Sequence, residues 1–290
     1  MVEGEIKSVP EGPGDEAPLV VEIDSAPQAG DIGVIRVPCR HNPILAEVLR
    51  RVNEDIQLRT LWKCANVNAV DRLGISDHGR VHVQIVANIG LKMLRLLSDS
   101  GVSPGIVRDY GMAAHDAEVV VVMAALLHDV GIAVHRDGHE LHSLFIADRK
   151  INDLLDGIYA DEPKTIVWSE VMHAIVAHAR DAHTLTVEAG VVKVADALDM
   201  AKGRSRIPFE AGKVNIHSLS AAAIERIIIG QGDSKPVRVE AIMSNSAGIF
   251  QLDELLKGKL RNSGLADQVE VVARIEGQAE SRLLAGYRID

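Results

Sequence analysis

The run Val119–Leu127, VVVVMAALL, is apolar at every position and is followed at once by His128 and Asp129. A segment with no polar face must lie inside a protein or a bilayer, and this one is under half of the roughly 20 residues that a membrane span needs. It therefore predicts a buried helix whose last turn carries an imidazole and a carboxylate inward. An isolated buried carboxylate is so costly that it must be paired or coordinate a metal. Whatever this chain folds into has to surround that helix with others and supply Asp129 with a cation.

The flanking sequence offers those helices. Asn42 as a cap, Pro43 in the first turn, and Ile44, Leu45, Val48, Leu49, Val52 and Ile56 at helical spacing predict a long helix running towards Val70, with Gly74 beyond its end. After Ser76 or Asp77, the stripe Val81, Ile85, Val86, Ile89, Met93, Leu94 and Leu97 predicts a second, with His82 on the stripe. A third spans Asp116 to Asp129 and ends at Gly131. A fourth starts at Asp137-Gly138-His139-Glu140, read as a capping box, and carries Leu141, Leu144, Phe145, Ile151 and Leu155. Two more cover Ser169–Ala179 and Val187–Met200. Beyond Ala211 strand-like segments at Val214–His217, Pro236–Met243 and Gln268–Ile275 alternate with a short helical stretch after the first and another at Ile249–Leu260. Residues up to Gly33, rich in Pro, Gly, Asp and Glu, form an extension with at most a short strand at Leu19–Ile23. The expectation is a mainly α protein in which residues 1–33 are an extension, 34–211 a helical domain and 212–290 a smaller C-terminal α+β domain.

Histidines and aspartates recur on the faces that should be buried. His82 lies inward with Ile85, Val86 and Ile89; for one such residue a satisfied core histidine is the commoner outcome. His178 shares a face with Val171, Ala174 and Ile175, and Asp196 is embedded in VVKVADALDM. With His128 and Asp129, these give imidazole and carboxylate donors from separate buried helices, and a shared divalent transition metal is the economical explanation.

His82-Val-Gln-Ile-Val-Ala, LLHDVG at Leu126–Gly131, and VVKVADALDM with Asp196 together resemble the H…HD…D signature of HD-domain phosphohydrolases, over about residues 76 to 202. The resemblance implies an HD-domain helical bundle holding one or two divalent ions (Mn, Fe, Co, Ni, Mg or Zn), with His128 and Asp129 as catalytic residues and Asp129 as the natural bridge. It implies His139, with Ser143 in the family's small position, and His178 in AIVAHA as ligands of a second ion, with His142 as the substitute for His139. The chain departs from some relatives in having His178-Ala179 where they have adjacent histidines. His78, where some relatives place an acidic ligand, is assigned a capping or substrate contact. Lys193, Lys202, Arg204 and Arg206, on or just beyond the Asp196 helix, are the expected cations for a substrate phosphate, although such a run is ordinarily a solvated surface.

The resemblance implies hydrolysis of a phosphomonoester or phosphodiester, with a small phosphorylated substrate, a nucleotide, as partner. An HD-fold di-iron oxygenase and a nucleotide-binding sensor are the alternatives. A net charge of −10, from 31 Lys+Arg against 41 Asp+Glu, argues against a duplex nucleic-acid partner. No leader or apolar span is visible, so no membrane partner and a cytoplasmic location are expected. Cys39 and Cys64 lack metal or redox spacing. A homo-oligomer stays open.

Overall fold

The run Val119–Leu127 forms the second half of helix α5 (Ala114–Leu127), and every residue of that run is buried. The structure, a computed structural model, describes residues 18–21, 33–201, 220–276 and 287–289. Around α5 pack α1 (Pro43–Glu54), α2 (Ile56–Asn66), α3 (Arg80–Asp99), a short α4 (Gly105–Tyr110), α6 (His139–Leu154), α7 (Asp161–Ala177) and α8 (Val187–Leu198). Trp62 of α2 is buried against α5, and its indole N–H donates to the Leu126 carbonyl at 2.9 Å. Gly90 lets α3 approach closely, since a Cβ there would lie 2.9 Å from Val121 Cγ1. Among the described residues no helix is long and apolar enough to cross a membrane.

Local chemistry moved several boundaries. The long helix expected from Asn42 is two, because Asp55 leaves helical geometry (ψ 94°) and its carboxylate accepts from Leu58 N–H, capping α2 while ending α1. A π-helical turn, Val67–Arg72, continues α2 before Gly74 (φ 62°). No capping box forms at Asp137: the cap of α6 is Gly138, in the left-handed region (φ 68°) and without a side chain to bond. α7 begins at Asp161, a full two turns before the expected Ser169.

The C-terminal part is a five-stranded sheet in the order β1 (Leu19–Val21), β2 (Ile224–Gln231), β3 (Val237–Met243), β4 (Val269–Ile275) and β5 (Tyr287–Ile289). β2 falls where a helical stretch was expected. Its isoleucines fit both periods, but Ile227 and Ile229 pair with Ala241 and Val239 of β3 and are buried, so cross-strand packing decides. The expected strand Val214–His217 lies outside the described residues. β3 and β4 are parallel, and a parallel pair needs a crossover. Here it is α9 (Gly248–Gln251), a π-helical turn (Leu252–Lys257) and α10 (Gly258–Arg261), which packs on α8. β1 adds to the sheet edge from the N-terminal side.

One junction positions the end of α5. Past His128 and Asp129 the chain enters a 3-10 turn, Val130–Ala133, pressed on the start of α6. A Cβ on Gly131 would lie 2.2 Å from the His139 carbonyl oxygen and 2.4 Å from Ser143 N, both backbone atoms that cannot swing aside. Ser143 Oγ closes the junction, donating to the His128 carbonyl at 2.6 Å and accepting from Gly131 N–H at 2.9 Å. Gly131→Ala should therefore lower stability by about 2–4 kcal/mol, and Ser143→Ala, which orphans one buried N–H, by about 1–3 kcal/mol. Urea unfolding of both against the parent measures this; an unshifted midpoint for Gly131→Ala would contradict the tight junction.

Candidate metal centre

His82 comes from the first turns of α3, His128 and Asp129 from the end of α5, His139 from the first residue of α6, His178 from the cap that ends α7, and Asp196 from the last turn of α8. Four imidazoles and two carboxylates from five helices thus meet in one place. Their arrangement has two lobes. Asp129 Oδ2 lies 3.2 Å from His82 Nε2 and 3.3 Å from His128 Nε2, and Asp196 Oδ1 lies 3.3 Å and 3.8 Å from the same two nitrogens. Asp129 Oδ1 turns the other way, 3.1 Å from His139 Nε2 and 3.8 Å from His178 Nε2.

The histidines are oriented from behind. The Nδ1 atoms of His128 and His178 lie 2.8 Å from the Ala125 carbonyl and 2.5 Å from the Ile175 carbonyl, each one turn back on its own helix. Nδ1 of His82 lies 2.6 Å from Asp199 Oδ2, and Nδ1 of His139 lies 3.0 Å from the Arg136 carbonyl oxygen. These acceptors favour the tautomer with the proton on Nδ1, which leaves each Nε2 lone pair facing inward as a metal ligand needs. The Arg136 guanidinium, 2.7 Å from the same His139 nitrogen, competes for the opposite tautomer. Inward lone pairs also explain the close nitrogen pairs, His82 to His128 at 3.2 Å and His139 to His178 at 3.3 Å, which require a proton or a metal cation between them. The donor set fits a divalent transition metal.

Electrostatics without a metal point the same way. Burial opposes charge on His128, but the charge and hydrogen bond of Asp129, with help from Asp196, push it up to about 9. Burial together with the neighbouring His128 brings His178 down to about 3, leaving it neutral. Burial works against ionisation of Asp129 and Asp196, yet His128 for the first and Lys259 for the second hold them well below the usual carboxylate range. A proton on His128 thus provides part of the charge that a cation would supply.

The other expected residues divide. His142 belongs to none of the donor clusters, whereas His139 joins Glu140 and His178 in one of them. His78 flanks His82, with ring centroids 5.4 Å apart, and its Nδ1 lies 2.6 Å from the Ser76 carbonyl. Lys193 does not face the donors: it is fully buried and its ammonium donates to the carbonyls of Ala177, Ala179 and Ala182. The last carbonyl of α7 and two in the loop after it hold the ammonium, so it pins the turn that carries His178 instead of facing the donors. Lys202, Arg204 and Arg206 lie outside the described residues. Three residues were missed. Asp199, one turn after Asp196 in VADALDM, was legible as a helix-face pair; Glu140 clusters with His139 and His178 but read as a cap; Lys259, bonded to Asp196 Oδ2, sits too far along the chain for any spacing rule.

Comparison with known proteins agrees in its own terms. The HD domain family model matches residues 80–201. The chain is 46% identical over 220 residues to the uncharacterized protein MJ1020 of Methanocaldococcus jannaschii, covering 76% of this chain and 85% of that protein. It is 30% identical over 172 residues to a protein named ribonuclease Y from Geotalea uraniireducens, and 26% identical over 182 residues to one from Opitutus terrae. These matches cover 57% and 60% of this chain but only 30% and 31% of the two ribonucleases. No solved structure gives a significant match.

Two outcomes follow from the geometry. Because His128 keeps its proton up to about pH 9 and must lose it to ligate, metal competes with that proton, so affinity should rise as pH increases from 6.5 towards 9 and flatten above it. Mn(II) titrations across that range check the sign. Asp199→Asn, which weakens the grip on His82 Nδ1, should lower metal affinity about 10- to 100-fold with little change in fold, as outer partners of ligating histidines commonly do; equal affinities would remove Asp199 from the site.

Proposed function

This chain belongs to the HD-domain superfamily, and on that premise we propose that it is a metal-dependent phosphohydrolase acting on a small phosphorylated substrate, a nucleotide. The observation that carries the reading is the split of Asp129, whose two oxygens face two separate histidine pairs. His82, His128, Asp129 and Asp196 would hold one ion, and His139, His178 and the other Asp129 oxygen a second. Divalent cations held there would supply positive charge to a phosphoryl group and would lower the pKa of a water towards neutrality. The chain's own part is to fix the donors. Asp129 sets the separation of the two lobes, backbone carbonyls and Asp199 aim the imidazoles, and the apolar α5 wall excludes bulk water, which strengthens every charge interaction within.

The names of the two ribonucleases favour a phosphodiester between ribonucleotides as the first class to assay, with phosphomonoesters second. We further propose residues 34–211 as the ion-holding domain and 212–290 as the part that serves selection of substrate or assembly, the N-terminal extension, 1–33, lending β1 to its sheet. A cytoplasmic setting belongs to the same proposal. Oxygen uptake with iron bound, without phosphate release, would favour the di-iron alternative.

If the two-lobed reading is right, Asp129→Ala abolishes hydrolysis at every metal concentration, whereas His139→Ala loses about 10- to 100-fold at low metal and recovers at high metal. Activity of folded variants across Mn(II) concentration measures this. Hydrolysis by Asp129→Ala at the parent rate would refute the reading.

A further inference from the structure

Hydrolysing a phosphate ester calls for positive charge on the phosphoryl group in addition to the ions, and Lys193 is committed elsewhere. The donor set is not evenly enclosed. Side-chain exposure is 0% at His82 and His128, 4% at Asp129 and His178 and 6% at His139, then rises to 15% at Asp196 and 17% at Lys259. Donors meet solvent at two edges, at Glu140 beside His139, whose side chain is 24% exposed, and at Asp196 with Lys259; the second is taken as the mouth because its lysine has N–H groups to spare.

Lys259 is well placed to use that position. Its ammonium donates to Asp196 Oδ2, while Asp196 Oδ1 faces His82 and His128. Ligation through Oδ1 therefore leaves the lysine in place. An ammonium has further N–H donors, and no other described residue accepts from Lys259. The segment bearing it is strapped on both sides. Arg180 reaches the Glu254 carbonyl at 3.0 Å and its carboxylate at 3.1 Å; Thr184 Oγ1 donates to the Ser263 carbonyl at 2.7 Å. Gly190 of α8 lies so close that a Cβ there would stand 2.3 Å from the Ser263 oxygen. Lys259 is thus carried to the mouth by the crossover between β3 and β4, a part of the chain with none of the proposed ligands.

We propose that Lys259 is the residue that binds the substrate's phosphoryl group, holding Asp196 with one N–H and offering the others to a phosphoryl oxygen at the adjacent donor set. The proposal rests on the phosphohydrolase reading for its substrate class. It assigns the C-terminal part a direct share in the site and explains why a lysine is aimed at a carboxylate that already faces two histidines.

The test uses the full chain loaded with Mn(II) and inorganic phosphate as the probe, with binding followed by calorimetry. Lys259→Met should weaken phosphate binding about 10- to 100-fold, the loss of one charge-assisted hydrogen bond, with Mn(II) affinity held within about threefold. The unfolding midpoint should hardly move, since a partly exposed ion pair contributes about 1 kcal/mol or less. Lys259→Arg, which keeps the cation, should restore phosphate binding, and Lys259→Gln gives the same comparison should the methionine variant fail to fold. Unchanged phosphate affinity, absence of phosphate binding by the parent, or a loss that only follows lost Mn(II) would each overturn the proposal; the last would make Lys259 a support for Asp196 alone. Phosphate binding that depends on Lys259, in a protein that turns over no phosphate ester, would uphold the site and remove the hydrolase reading.

Discussion

A carboxylate lies at the end of the most apolar helix of this protein, and much of the structure is arranged about it. Asp129 is buried and ionised, which would be costly if it stood alone. It is tolerated because each oxygen meets a different pair of imidazoles and because a proton on His128, or a metal in its place, balances the charge. The same carboxylate that demands compensation also sets two donor lobes at a fixed separation.

Holding that arrangement depends on backbone as much as on side chains. The close approach at Gly131, locked by Ser143, ties the end of α5, with His128 and Asp129, to the start of α6, with His139. The carbonyls of Ala125 and Ile175 aim His128 and His178, and buried Lys193 holds the turn after His178 by three further carbonyls. Lys193 shows why a cation near a ligand in sequence need not face it: on α8 it points towards carbonyls at and just beyond the end of α7, whose partial charge satisfies the ammonium.

The C-terminal sheet affects the helical part through one connection. Parallel pairing of β3 and β4 requires a crossover, the crossover packs on α8, and its last helix brings Lys259 to Asp196. The C-terminal part therefore contacts the Asp196 helix directly. The matches to the two ribonucleases cover 30% and 31% of those proteins, whereas the match to the archaeal protein MJ1020 covers 85% of its length.

The mainly helical fold, the apolar α5 and the inward faces of His82, His128, Asp129, His178 and Asp196 were read from the residues, whereas His139 came from the family resemblance, because the helical period there does not separate it from His142. Helical period and the cost of buried charge act within a few turns of chain, so local patterns carry them. Asp55 and Gly138 show the limit at element ends, where one side chain or one backbone angle chooses between a continuous helix and a break. β2 shows it for element type: isoleucines that suit either period became a strand because β3 lay beside them. Which face Lys193 presents and the arrival of Lys259 beside Asp196 were decided by tertiary structure alone, because each depends on atoms brought together from different elements by packing, and the period of a single segment carries no record of its neighbours.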